Sequence, residues 1–173
     1  METDEQSFAA TVDKYDFGKY FYTVVYFPKV VTDVLPLEQY PRLRLAAEID
    51  GAMVDGALMP DKVGLAQTKH LLEAGLPAGQ QIWYYMVSKK VLRKIGKTLG
   101  DTVMVYFRIA DQDAVDVPRA LSELLEQNHR LREIWQTLSA GKRRGLVHGL
   151  NTAKTSATRA KRLEQLEIAL LEM

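Results

Sequence analysis

Seven basic side chains, Lys142, Arg143, Arg144, Lys154, Arg159, Lys161 and Arg162, fall in the interval 134–163, which contains no acidic residue. Guanidinium groups make planar, charge-assisted contacts with phosphate or carboxylate oxygens, and lysines add point charges. This is anion-binding chemistry. Arg159 and Arg162 are three apart and share a helical face. If the preceding helix folds back antiparallel, Lys142 to Arg144 and Lys154 converge on the same anion. The competing reading is a solvated basic face, or internal pairing with Glu126, Glu133 and Glu164.

Lys89, Lys90, Arg93, Lys94 and Lys97 form a secondary basic surface around Val91, Leu92 and Ile95, which point inward at helical spacing. A symmetric homodimer would double this surface across its axis; the sequence leaves the oligomeric state open. The chain carries a net charge of only +1, but unevenly. Residues 1–118 hold 13 basic against 16 acidic side chains, whereas 119–173 hold 10 against 6. The second part is where a polyanion would be drawn.

Other chemistries have fewer residues to stand on. The absence of cysteine removes disulfides, thiolate nucleophiles and cysteine-ligated zinc. His70, His129 and His148 form no local metal pair, and no serine sits in a glycine-flanked elbow, so neither a metal centre nor a hydrolase triad is expected. Asp55 and Asp61 are either paired carboxylates at a barrel mouth or, more simply, caps of turn amides. Asp111, Asp113 and Asp116 lack the spacing of a calcium loop and read as a solvated linker. The tyrosines of the strand candidates serve either as core and girdle or, where exposed beside a cation, as stacking platforms for single-stranded nucleic acid. Trp83 and Trp135 read as packing or interface anchors, with Trp135 facing the helical core. No cofactor is expected. An enzyme is the less favoured class.

The elements that must position these groups are organised around Ile82 to Phe107. Ile82 to Val87 reads as a buried strand, Ser88 caps a short helix, Gly100-Asp101 turns the chain, and Thr102 to Phe107 returns as a strand with Val103, Val105 and Phe107 on one face. Tyr20 to Phe27 is another strand, and Val30 to Leu35 is a strand or a helical turn. A hairpin spans 42–59 about Asp50-Gly51, with Asp55-Gly56 as a bulge or bend. Leu65 to Ala74 forms a short helix with Leu65, Leu71 and Leu72 inward, or a loop. After Pro118 the pattern is helical: Arg119 to Glu126, then a segment striped by Leu131, Ile134, Trp135 and Leu138, then Ala140 to Leu150 and Ala157 to Glu172, the last two separate or joined as one kinked helix.

The expectation is an α+β protein. A flexible N-terminus covers 1–16, a small split β-barrel covers 17–110, a linker covers 111–118, and a helical hairpin or three-helix unit covers 119–173. METDEQSFAATVDKYD lacks the basic start and apolar run of a signal peptide, and no stretch has the length of a spanning helix. A cytoplasmic location without membrane insertion is therefore expected.

The GALMP of Gly56 to Pro60, followed by VSKKVLRKIGKTLGDTVMVYF from Val87 to Phe107, resembles the small all-β domain of the AF2212/PG0164-like superfamily. The stretch from Val117-Pro118 through SAGKRRGLVHGLNTAKTSATRAKRLEQL resembles the helical region of the YdeI/OmpD-associated family. That family's pattern is a basic cluster, Ala-Lys, then Thr-Arg and a further basic pair. Here these are Lys142-Arg143-Arg144, Ala153-Lys154, and Thr158-Arg159 with Lys161-Arg162. The first resemblance implies a double-split barrel, shared in outline with swapped-hairpin transcription regulators; neither implies an activity. The leading function is a non-enzymatic binding protein whose basic C-terminal surface contacts an anionic partner, with nucleic acid the foremost polyanion. The alternatives are a small-ligand protein or enzyme with a pocket between barrel and helices, and an adaptor whose basic face docks an acidic protein partner.

Overall fold

The computed structural model describes residues 5–173, and the chain divides after Ala110 into two compact units. In the first, eight strands among the described residues build two four-stranded antiparallel sheets rather than one closed cylinder. One sheet runs β1 (Gln6–Thr11), β8 (Thr102–Ile109), β4 (Arg44–Ile49), β5 (Ala52–Ala57); the other runs β2 (Asp13–Asp16), β3 (Phe21–Tyr26), β7 (Gln81–Met86), β6 (Met59–Lys62). Alternation sets the burial. Leu45, Ala47 and Ile49 on β4 and Val103, Val105 and Phe107 on β8 point into the same core as Val25, Phe27, Tyr85 and Val87 of the other sheet.

The Asp50-Gly51 hairpin forms as the sequence predicts. Both residues take the left-handed conformation, at φ 44° and 86°, which a two-residue hairpin turn requires. Asp50 supports it by accepting the Met104 amide proton at Oδ1, 2.8 Å away. No bulge forms at Asp55-Gly56: β5 pairs with β4 in unbroken register from Ala52 to Ala57. Glycine is needed at 56 for another reason. A Cβ there would lie 3.2 Å from the ring of Tyr85, whose hydroxyl donates toward the carbonyls of Val54 and Leu45 at 2.6 and 3.1 Å.

The frayed opening expected for 1–16 is overturned where it is described: β1 and β2 occupy most of 6–16, and the first four positions lie outside the described residues. β1 has few apolar side chains of its own. Its order comes from pairing with β8 and from Phe8, whose ring centroid lies 4.6 Å from that of Phe27. Val30 to Leu35 opens with the single helical turn α1 (Lys29–Thr32). Of the three leucines expected inward near 65–74, only Leu71 is buried, against Val63 and Ile82, while Leu65 and Leu72 are 49% and 40% exposed. A 3-10 turn, Ala66–Thr68, and the five-residue α2 (Lys69–Glu73) offer too short a face to bury more. Ser88 caps α3 (Lys89–Ile95) by accepting from Val91 N, and left-handed Gly96 ends it.

The second unit holds four helices, α4 (Arg119–Gln127), α5 (His129–Thr137), α6 (Ala140–Asn151) and α7 (Ser156–Leu171), rather than a hairpin or three. Caps make the divisions. Asn128, Ser139 and Thr155 are extended residues whose side chains accept from Leu131, Lys142 and Thr158 amides, so α4 and α5 stay separate and α6 and α7 do not merge. Leu121, Leu125, Leu131, Trp135, Val147, Leu150, Leu166 and Leu170 form this unit's core. Residues 111–118 are irregular yet tied to it: Arg144 Nη1 donates to Gln112 O and Ala114 O at 2.8 and 3.0 Å, and Asn151 donates to Asp116 O at 2.9 Å.

Candidate anion-binding surfaces

The seven basic residues of 134–163 divide by chemistry. Each arginine serves a backbone carbonyl. Arg143 lies with its guanidinium 5.8 Å from the Trp135 ring centre and donates to Gln136 O at 2.7 Å and to Trp135 O at 3.0 Å, a carbonyl that also accepts from Leu138 N at 3.2 Å, so it binds the C-terminal end of α5. Arg162 donates to Gly149 O at 2.6 Å near the end of α6, and Arg159 donates to Ala153 O at 3.2 Å in the turn that follows. Arg144 holds the segment 112–114, as described above. Arg143 and Arg144 are half-buried; Arg159 and Arg162 are exposed.

Lys142, Lys154 and Lys161 are exposed, and none of their ammonium groups forms a hydrogen bond or ion pair among the described residues. Among the described residues Lys142, Arg143, Lys154, Arg159, Lys161 and Arg162 form no ion pair with Glu126, Glu133 or Glu164. Elsewhere in this unit charges do pair, as Arg119 with Glu123 at 2.7 Å, and His129 Nδ1 lies 3.5 Å from a Glu133 carboxylate oxygen. The turn between α6 and α7 gathers Lys154, Arg159 and Arg162 near one junction. Lys142 lies in the first turn of α6, at the far end of that helix.

The secondary set also divides. Lys89, Arg93 and Lys97 line a pocket of about 420 Å³ with Phe21, Thr23, Leu92, Thr98 and Leu99, whereas Lys90 and Lys94 do not reach it. The Lys89 ammonium lies 5.0 Å from the Phe21 ring centre. Lys97 is occupied by Asp50 at 3.6 Å and by Thr102 O at 3.0 Å.

A third group was invisible in sequence spacing. Tyr15 donates to Asp61 Oδ2 at 2.6 Å across 46 positions, and its ring stacks on Tyr84 with centroids 4.4 Å apart. His70 Nε2 is buried 3.3 Å from Asp13 Oδ1, without the alignment of a hydrogen bond. Burial, chiefly, pushes the phenols of Tyr15, Tyr26 and Tyr84 up, so they hold their protons through the neutral range. Asp61 also accepts from the Lys62 amide at 2.8 Å, a contact within β6 rather than in a turn; Asp55 sits exposed on β5. Next to this group Phe17, Tyr20 and Tyr22 stand 39%, 56% and 43% exposed, an aromatic surface no periodicity announces. Trp135, by contrast, is 7% exposed and belongs to the helical core.

Among the described residues no three His, Asp or Glu side chains gather as a metal set, and no helix is long and apolar enough to cross a membrane. Residues 114–172 match the family described as bacteriocin-protection, YdeI or OmpD-associated. The match covers the helical unit almost from end to end, including all seven basic residues of 134–163. No curated protein matches the chain.

Proposed function

We propose that this protein binds an anionic partner, nucleic acid foremost, through the basic surface of α6 and α7, without catalysing a reaction on it. The observation that carries the reading is the state of the charges: Lys142, Lys154 and Lys161 are exposed and unneutralised, in an interval with no carboxylate of its own. Arg159 and Arg162 are exposed beside them. A guanidinium anchored to a carbonyl by one N–H keeps further donors and is held in place before the anion arrives. The remaining parts of the reading concern the first unit. Two sheets sharing one core, joined by the strand–helix–strand of 82–107, fit the split barrel and the AF2212/PG0164-like resemblance, whose regulator-type relatives in fold make nucleic acid a natural partner for the whole chain.

The test is fluorescence anisotropy with labelled double-stranded DNA, single-stranded DNA and RNA across a salt series. The informative variant is Lys142→Ala/Lys154→Ala/Lys161→Ala, because the arginines also hold helix ends and their loss would confound folding with binding. Affinity should fall with salt with a log–log slope of ~0.9 per phosphate neutralised on duplex DNA, and the slope should flatten by about one to three such units in the variant. No binding at low salt, or a variant indistinguishable from wild type, refutes the proposal.

A further inference from the structure

The pocket between β3 and α3 has a composition that the function proposed above does not use. Its floor is apolar: Leu92 is 4% exposed, Phe21 is half-buried, and Leu99 stands 41% exposed at the mouth. Thr23 contributes little polarity, since its hydroxyl is already donated to Val87 O. Its rim is cationic. Of the three cations, Lys97 is committed to Asp50, whereas Lys89 and Arg93 meet no carboxylate among the described residues. Arg93 donates only Nε, to Lys89 O at 3.4 Å on its own helix, which leaves both terminal amino groups for a second molecule. Two cations without a carboxylate partner beside an apolar floor, in a pocket of about 420 Å³, match a ligand with an anionic head and an apolar body, in a space of the size small molecules occupy.

We infer that this pocket binds a small amphiphilic anion, a carboxylate or phosphate monoester, with its head on Arg93 and Lys89 and its apolar body on Leu92, Leu99 and Phe21. Both head groups accept the paired donors of a guanidinium. The ring face of Phe21, held under the Lys89 ammonium at 5.0 Å, fixes one wall and keeps that cation at the rim. The site lies wholly in the first unit. It stands or falls independently of the surface on α6 and α7.

The probe is 8-anilinonaphthalene-1-sulfonate, an anion with an apolar body, titrated into the full-length protein by fluorescence and followed by amide shifts in nuclear magnetic resonance spectra. Saturable binding with shifts centred on Arg93, Thr98 and Leu99 is expected. Lys89→Gln/Arg93→Gln should weaken it about tenfold while leaving binding of the neutral N-phenyl-1-naphthylamine unchanged. Leu99→Glu, at a position 41% exposed at the mouth, should remove both. Lys142→Ala/Lys154→Ala/Lys161→Ala should alter neither. Decanoate or decyl phosphate should displace the probe where inorganic phosphate at equal ionic strength does not, and the stronger of the two names the head group. Absence of binding, shifts centred elsewhere, indifference to the Lys89 and Arg93 charges, or displacement by inorganic phosphate alone would overturn the assignment.

Discussion

Tyr85 joins the two sheets of the first unit through one phenol. Its ring fills the space left by Gly56, and its hydroxyl reaches carbonyls on β4 and β5. Tyr85→Phe should therefore lower stability by about 1 kcal/mol in urea unfolding, the net worth of one hydrogen bond. Gly56→Ala should cost about 1–3 kcal/mol, because the new methyl meets a ring that is already packed. Burial raises the phenols of Tyr15, Tyr26 and Tyr85 above their ordinary value near 10, with the Asp61 hydrogen bond adding at Tyr15 and the charges of Asp13 and Asp55 at the other two. Above about pH 10 the unfolded chain thus binds fewer protons than the folded one, so stability falls as pH rises, and below that pH this contribution is constant. Urea midpoints between about pH 8 and pH 11, with phenolate absorbance followed in parallel, check the sign; a flat profile across that range would contradict it. None of this was legible in the sequence at these positions. Tyr85 reads there as one more strand aromatic, and the Tyr15–Asp61 bond joins residues whose separation carries no local signal.

At the scale of elements, the caps separate two kinds of basic residue that the sequence presents alike. Arg143 binds carbonyls at the end of α5, while the ammonium of Lys142, one position earlier, meets no partner among the described residues. Arg143→Gln should lower the melting temperature measurably, by an amount equivalent to about 1 kcal/mol, and Lys142→Gln should leave it within error. Gly145 has nothing within 4 Å of where a Cβ would stand, and at Gly149 the Arg162 side chain comes only to 3.9 Å, so neither of these glycines of α6 is required by close packing against a neighbour. Gly145→Ala should stabilise the helix by about 0.5–1 kcal/mol in a thermal melt. The hairpin at Asp50-Gly51, the cap Ser88, and the helical stripe of Leu131, Ile134, Trp135 and Leu138 could be read directly, since each rests on residues a few positions apart. β1 could not be. Its apolar content is slight, and what orders it is a partner strand far along the chain.

For the molecule as a whole, each hydrophobic core draws its side chains from one unit only. The two tryptophans divide the same way, Trp83 packing on the first core and Trp135 within the second. Urea unfolding followed in Trp83→Phe should therefore report the helical unit and in Trp135→Phe the β unit, with distinct midpoints; coincident transitions by both probes would mean the units unfold as one. The candidate surface was legible as composition but not as geometry. A run of seven cations without an acid is plain in the sequence, whereas the carbonyls that occupy four of them appear only once the helices have ends. One further consequence belongs to the sheet ordered β2-β3-β7-β6. Its outer strands are four residues each, β6 carries Pro60, which has no amide proton to offer, and Tyr15 and Asp61 clasp the two margins together. Such margins give a second chain little to extend, so this side of the protein is guarded against fibrillar stacking at high concentration.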